Sequence, residues 1–279
     1  MTARPPPRIL VAVDQPDDCE AGLRYAVAEA ERTGAALELV HVDDPDGRPV
    51  DDVAPAHALA ERLAGGRVDV MTSRHPGPVG PGLIELSRAA DLLVLQHHRI
   101  SRLRRLAHGS TAVMVAGRVH CRMVSVPDAW SGGDQAPIDV TVGVDAVDDD
   151  AGRVLDQAFE HAARAGGRLR VVHAWSMSSP YDDALVDQAT AEEWTSSYRT
   201  RLEAELRERL AASPGVEVEV DVVHQEAGKA LLERTAASRL LLVGQGRLVH
   251  PLVDRLGSVP RAVLLDADCP VEVVTAPVE

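Results

Sequence analysis

A chain of 279 residues exceeds one ordinary domain and supplies two units of about 140 residues, each able to bury its own core. Hydrophobic residues make up 45% of it but aromatics only 3%, so the cores must be built from Val, Leu and Ala, a composition that suits parallel sheets covered by helices. A formal net charge of −14 argues against nucleic-acid or anionic-membrane partners, which call for clustered Lys and Arg.

In chain order, residues 9–13 predict a first strand that ends on Asp14. Residues 18–32 follow as a helix with Leu23, Ala26, Val27 and Ala30 on one face, and Gly34 marks its stop. A second strand (37–42), a third (68–71), a helix (82–90) and a fourth strand (92–95, LLVL) come next. A short helix opened by Gly109 and Ser110 then leads to a final strand at 121–126. The segment 127–137, PDAWSGGDQAP, has linker composition.

After it the pattern starts again. DVTVGVD ends on Asp145, a helix covers 149–164, Gly166 and Gly167 stop it, and a strand runs over 168–174. Residues 183–212 read as one long polar helix before Pro214 and Gly215. Then come a third strand (216–223), a helix (229–237), a fourth strand (240–243, LLLV), a helix opened by Gly257 and Ser258, and a last strand (269–274).

The two halves align residue by residue. Asp14 and Asp145 lie 131 apart, His41 and His173 lie 132 apart, and the pairs Gly109/Gly257, Ser110/Ser258 and Cys121/Cys269 share an offset of 148. The second copy has therefore gained 16 residues after its second strand, where the long polar helix is expected. Strands alternating with helices imply right-handed crossovers and a parallel sheet, hence two tandem doubly wound α/β (Rossmann-like) domains, residues 1–126 and 138–279.

In such a sheet a ligand binds beyond the carboxyl ends of the strands, at the switch point. Asp14 and Asp145 occupy that edge, either as ligand groups or as plain turn and cap residues. In the second copy Gly244, Gln245, Gly246 and Arg247 precede Gly257 and Ser258; glycine permits close backbone approach, and a helix N-terminus presents amides to a phosphate. The same Gly-Ser pair is also an ordinary helix start.

The chain has no P-loop, G-x-S-x-G or H-E-x-x-H motif, and Gly244-x-Gly246 lacks the third glycine of a dinucleotide fingerprint. His97 and His98 are poorly spaced for a metal, so no metal site is expected. Lys229, the only lysine, reads as an exposed helix start. Cys19, Cys121 and Cys269 form neither a disulfide framework nor a zinc site; Cys121 and Cys269 read as buried packing residues. Neither an apolar leader nor a run of about 18 apolar residues occurs, so a cytoplasmic protein is expected.

The strand-one acid, the His-Val pair ending strand two, the glycine loop after strand four, Gly-Ser and the closing Cys-Pro-Val together resemble the universal stress protein family. LLLVGQGR, LGSVPRAVL and CPVEVV of the second copy carry the nearest version, and the resemblance spans both copies. It implies an adenine nucleotide alpha hydrolase-like fold and, for the ATP-binding branch, a site in which Asp145 and Ala174 hold adenine and ribose. A Gly-x2-Gly-x9-Gly-(Ser or Thr) loop would wrap the phosphates, matched by Gly244, Gly257 and Ser258.

Arg247 stands where the second glycine belongs, either closing the site or gripping phosphate while Gly246 supplies the close approach. In the first copy Asp14, Val42, Gly109 and Ser110 match, but Gln96 and Arg99 replace both loop glycines, so that site is expected to be degenerate. The resemblance thus implies a stress-response protein binding ATP, with or without Mg, chiefly in its second domain, as a sensor or regulator. A slow ATPase is the most that is expected, because phosphoryl transfer needs a base, a metal-holding carboxylate and a cation in fixed places, and no such set stands out. The alternative is a scaffold that has lost nucleotide. The closing strands, 123–126 and 271–274, are expected to pair edge to edge as an internal pseudo-dimer, and a homodimer of the whole chain is compatible with the same resemblance.

Overall fold

The computed structural model describes residues 7–16, 18–45, 47, 52–97, 110–132, 139–145, 151–177, 179–246 and 256–275. They form two compact α/β units, one built on the strands before Gly132 and one on the strands after Asp139.

The first unit runs β1 (Arg8–Ala12), α1 (Glu20–Thr33), β2 (Ala36–Asp43), α2 (Ala54–Ala64), β3 (Val70–Pro76), α3 (Val79–Leu86), β4 (Leu92–His97), α4 (Thr111–Ala116) and β5 (Arg122–Pro127). Its strands pair in parallel in the order β3-β2-β1-β4-β5. The second unit runs β6 (Val140–Gly143), α5 (Ala151–Ala165), β7 (Arg168–Trp175), α6 (Pro180–Ala184), α7 (Gln188–Ala212), β8 (Glu217–His224), α8 (Ala227–Thr235), β9 (Leu240–Gly244), α9 (Ser258–Asp266) and β10 (Val271–Val274). It repeats the order as β8-β7-β6-β9-β10, again parallel. The direction of winding reverses between β1 and β4, and between β6 and β9, so each unit has a switch point beside its first strand.

The elements follow from the burial pattern. The central strand β1 buries Ile9, Leu10 and Val11 in succession, as a strand covered on both faces must. Helix α1 buries the expected stripe of Leu23, Ala26, Val27 and Ala30 and ends at Gly34, whose φ of +68° lets its N–H turn back to the Ala30 carbonyl.

Three expectations need correction. The segment before β3 contains a helix, α2, that was not foreseen: the residues it buries fully are the small Ala56, Ala60 and Ala64, and Leu59 and Leu63 pack on the core only partly buried. Strand β3 continues to Pro76 rather than stopping at Met71, because the register Leu37↔Val70 to Asp43↔Pro76 holds a polar edge strand against β2. The long polar helix is two helices, α6 and α7. Asp187 breaks it by accepting the Thr190 N–H at 2.8 Å, which starts α7 afresh and holds the Asp187 carboxyl below its usual range.

Candidate functional site

In the second unit β6 lies between β7 and β9, with Gly143 opposite both Val172 and Val243. Val144 extends the ladder by donating its N–H to the Val172 carbonyl at 3.0 Å. Two residues beyond Gly143, this register sets Asp145 level with Ala174 on one side and with the Gly244–Gly246 turn on the other. Asp145 is exposed and Ala174 half-buried, so the pair forms an open edge at the switch point.

His173 secures that edge from behind. Its buried ring places Nδ1 at 3.0 Å from the Val144 carbonyl, and since a carbonyl only accepts, Nδ1 carries the hydrogen. The first unit repeats the device, with His41 Nδ1 at 2.8 Å from the Val13 carbonyl, next to Asp14. The sequence marks these histidines as repeat and family-pattern positions but gives them no structural role. Their recurrence ahead of Val42 and Ala174 was the available signal.

The glycines close on each other. Gly246 has φ +78°, and a Cβ there would meet Gly257 Cα at 3.2 Å; a Cβ on Gly257 would meet Gly246 Cα at 3.2 Å and the Gln245 carbonyl oxygen at 3.3 Å. The Gly257 N–H donates to the Gln245 carbonyl at 2.8 Å. Backbone therefore lies on backbone where β9 leaves the sheet and α9 begins. Gly257 is the N-cap of α9 and supplies no side-chain cap, while Ser258 sits exposed at the first helical position. This arrangement offers amides and a hydroxyl to an anion. Arg247 lies outside the described residues. By contrast, the start of α8 is occupied by its own Glu226, whose carboxylate accepts the Gly228 and Lys229 N–H groups at 2.8 and 2.9 Å; Lys229 itself is exposed.

The first unit fills the corresponding space. Asp14 is exposed after β1 and Val42 is buried on β2, level with it, but Gln96 on β4 turns toward α1. Gln96 Oε1 accepts the Gly22 N–H at 2.8 Å, and Nε2 donates to the Asp18 carbonyl at 3.0 Å. Ser110 caps its own helix, with Oγ accepting the Val113 N–H at 3.5 Å. His98, Arg99 and Gly109 lie outside the described residues.

His97 is tied to β5, its Nδ1 at 2.9 Å from Ser125 Oγ, and among the described residues no group of His, Cys, Asp and Glu has the makings of a metal site. Cys121 and Cys269 are free and buried, and burial pushes both thiols up to about 12. Among the described residues no helix is long and apolar enough to cross a membrane.

Two doubly wound units, each with an acid and a histidine at its switch point, match one known pattern. The profile of the universal stress protein family fits residues 6–127 and again 139–275. The chain belongs to the universal stress protein family. A tandem relative, a universal stress protein of Mycobacterium tuberculosis, is 27% identical over an alignment of 306 positions that covers 96% of this chain and 95% of the relative. A crystal structure of a universal stress protein from Archaeoglobus fulgidus shares the fold along the chain, with a TM-score of 0.68 at 15% identity and 96% of each chain covered. Another protein of that organism, solved in complex with dAMP, covers 50% of this chain and 96% of its own at 25% identity and a TM-score of 0.32; the ligand is that protein's.

Proposed function

We propose that this universal stress protein binds ATP or a related adenine nucleotide through its second domain, residues 138–279, and acts as a sensor or regulator rather than as a catalyst. The observation that carries this reading is the contrast between the two switch points. The second leaves the first turn of α9 without a side-chain cap beside the Gly246–Gly257 contact, whereas the first has Gln96 spanning Gly22 and Asp18 and has Ser110 capping its own helix. Asp145 and Ala174 would hold ribose and adenine. Gly244, Gly246, Gly257 and Ser258, with Arg247, would take the phosphates and any Mg they carry.

A nucleotide-independent scaffold is the second reading, favoured by Gln96, which shows that one copy of this fold already holds its shape with a side chain in place of the loop glycine.

Thermal unfolding of the full chain with and without Mg-ATP separates the two. A ligand at 100 times its dissociation constant stabilises the folded state by about 2.7 kcal/mol. The expected result is a raised midpoint in wild type, lost in Asp145→Ala and Gly257→Val, with one nucleotide per chain in equilibrium dialysis. No response in wild type, and no nucleotide released from the natively purified chain, would establish the scaffold reading.

A further inference from the structure

The two units differ in what backs the strand-two histidine. In the first, the Nε2 side of His41 faces the Asp43 carboxylate at 3.6 Å, and Asp43 is itself held by Arg74, which pulls its carboxyl below the usual range. In the second, the ring of His173 packs on Tyr198 of α7, with ring centroids 4.7 Å apart and planes at 51°.

Trp175, two residues on and on the same side of β7, continues the layer. It meets Trp194 edge-on at 5.4 Å, approaches Tyr198 at 6.2 Å, and stacks on His224 at 4.0 Å with planes 5° apart. Its Nε1–H donates to Thr195 Oγ1 at 3.1 Å. Asp183 of α6 lies 2.9 Å from His224 Nε2 and accepts the Met177 N–H at 2.7 Å. Two of the three tryptophans of an aromatic-poor chain are thus spent on fastening the longer helical layer of the second copy to the carboxyl end of β7. His173 is the member of that layer that reaches the backbone of the switch point.

We infer that Tyr198 is a positioning residue for the second-domain site: by packing on His173 it holds the Nδ1–H on the Val144 carbonyl and thereby fixes the peptide from which Asp145 projects. The inference rests on the proposed reading of that site for its functional consequence, but its first link, from Tyr198 to His173, stands apart from it. The imidazole χ2 torsion is broad and soft, so the ring alone does not choose one orientation. A hydrogen bond weakens steeply as its angle falls, so a ring free to rock loses its grip on Val144. Asp145 then samples more positions, and a nucleotide must order it on binding. Helix α7 therefore tunes the site from the opposite face of the sheet, whereas among the described residues no aromatic ring packs on His41.

The test uses the full chain, Tyr198→Phe, which keeps the ring, and Tyr198→Leu, which keeps apolar bulk but no ring. Two quantities are read: the Mg-ATP dissociation constant by calorimetry, and the solvent exchange of the imidazole Nδ1–H protons by NMR, with His41 as an internal reference. Tyr198→Leu is expected to weaken Mg-ATP by about tenfold, within the range over which residues along a packed chain modulate coupling. It should also speed exchange at His173 and leave His41 unchanged, while Tyr198→Phe leaves both near wild type. Unchanged exchange at His173 in Tyr198→Leu overturns the inference whether or not nucleotide binds. Faster exchange with unchanged Mg-ATP affinity overturns the positioning role. If wild type binds no Mg-ATP, the proposed function fails, and the exchange measurement still decides whether Tyr198 holds His173.

Discussion

Substituting Gly246 by Ala tests whether the contact between the two loop glycines forms the phosphate cradle. The new Cβ would lie 3.2 Å from Gly257 Cα, 3.6 Å from Gly257 N and 3.7 Å from Pro260 Cδ, and none of these atoms can swing aside as a flexible side-chain tip could. The backbone conformation at φ +78° adds a left-handed penalty of about 1–2 kcal/mol. Crowding adds about 1–3 kcal/mol unless Gly257 moves away, which would strain its bond to the Gln245 carbonyl. A loss of about 2 kcal/mol corresponds to roughly 8 °C in the midpoint of a domain of this size. The control is Gly166→Ala in the same unit, where φ is +115° but nothing lies within 4 Å of the built Cβ, so strain acts without crowding. Differential scanning calorimetry with and without Mg-ATP should show Gly166→Ala destabilised but still responsive, and Gly246→Ala both destabilised and unresponsive. A Gly246→Ala chain that binds Mg-ATP like wild type would refute the cradle.

Four further outcomes are expected. Gln96→Ala removes the acceptor of the Gly22 N–H and the donor to the Asp18 carbonyl, so chemical denaturation should show the first domain weaker by about 1 kcal/mol for each bond lost, with Mg-ATP binding to the chain unchanged. Cys121 and Cys269 should resist alkylation at pH 8 until denaturant is added, because the reactive thiolate is suppressed. Burial raises both thiols from 9.0 to about 12, so the native state keeps protons that the unfolded chain gives up, and calorimetric stability should fall as pH rises from 9.0 towards 12. The Thr190 N–H lowers the Asp187 carboxyl below its ordinary 3.8; its support for α7 is therefore complete above that value and lost as acid protonates it in the folded state. Helical circular dichroism should decline on that acid limb in wild type, with this component missing in Asp187→Ala.

What could be read in advance divides along physical lines. The repeated acids, Gly-Ser pairs and apolar strands revealed both copies, because central parallel strands bury residues on both faces and so stand out as runs such as Leu92 to Leu95. Elements that bury little were harder: α2 fully buries only three alanines, and β3 is held mainly by its ladder to β2, with Val70 packed on the core only partly buried. The same holds at the site. Gly244, Gly257 and Ser258 were visible by spacing, but the Gly246–Gly257 contact depends on where β9 and α9 begin. The hold of His173 on Val144, and of Tyr198 on His173, joins residues 29 and 25 positions apart, which only the crossover topology brings together.

The divergence of the copies follows from one requirement. The amides at a helix start need partners, and at the helices that lead into β5 and β10 the two units meet this differently. In the first, Ser110 takes the Val113 amide of α4, and Gln96 at the end of β4 takes the Gly22 amide of α1. In the second, the N-cap of α9 is a glycine with no side chain to contribute. A glycine cap costs only roughly a few tenths of a kcal/mol relative to Ser or Asp, and it leaves the start of α9 open to an anion. The longer helical layer of α6 and α7 is attached to that same unit, with His224, Trp175 and Tyr198 leading to His173. The uncapped start of α9 and the added layer fastened to the switch-point backbone thus belong to the same copy, the one to which the proposed nucleotide site is assigned.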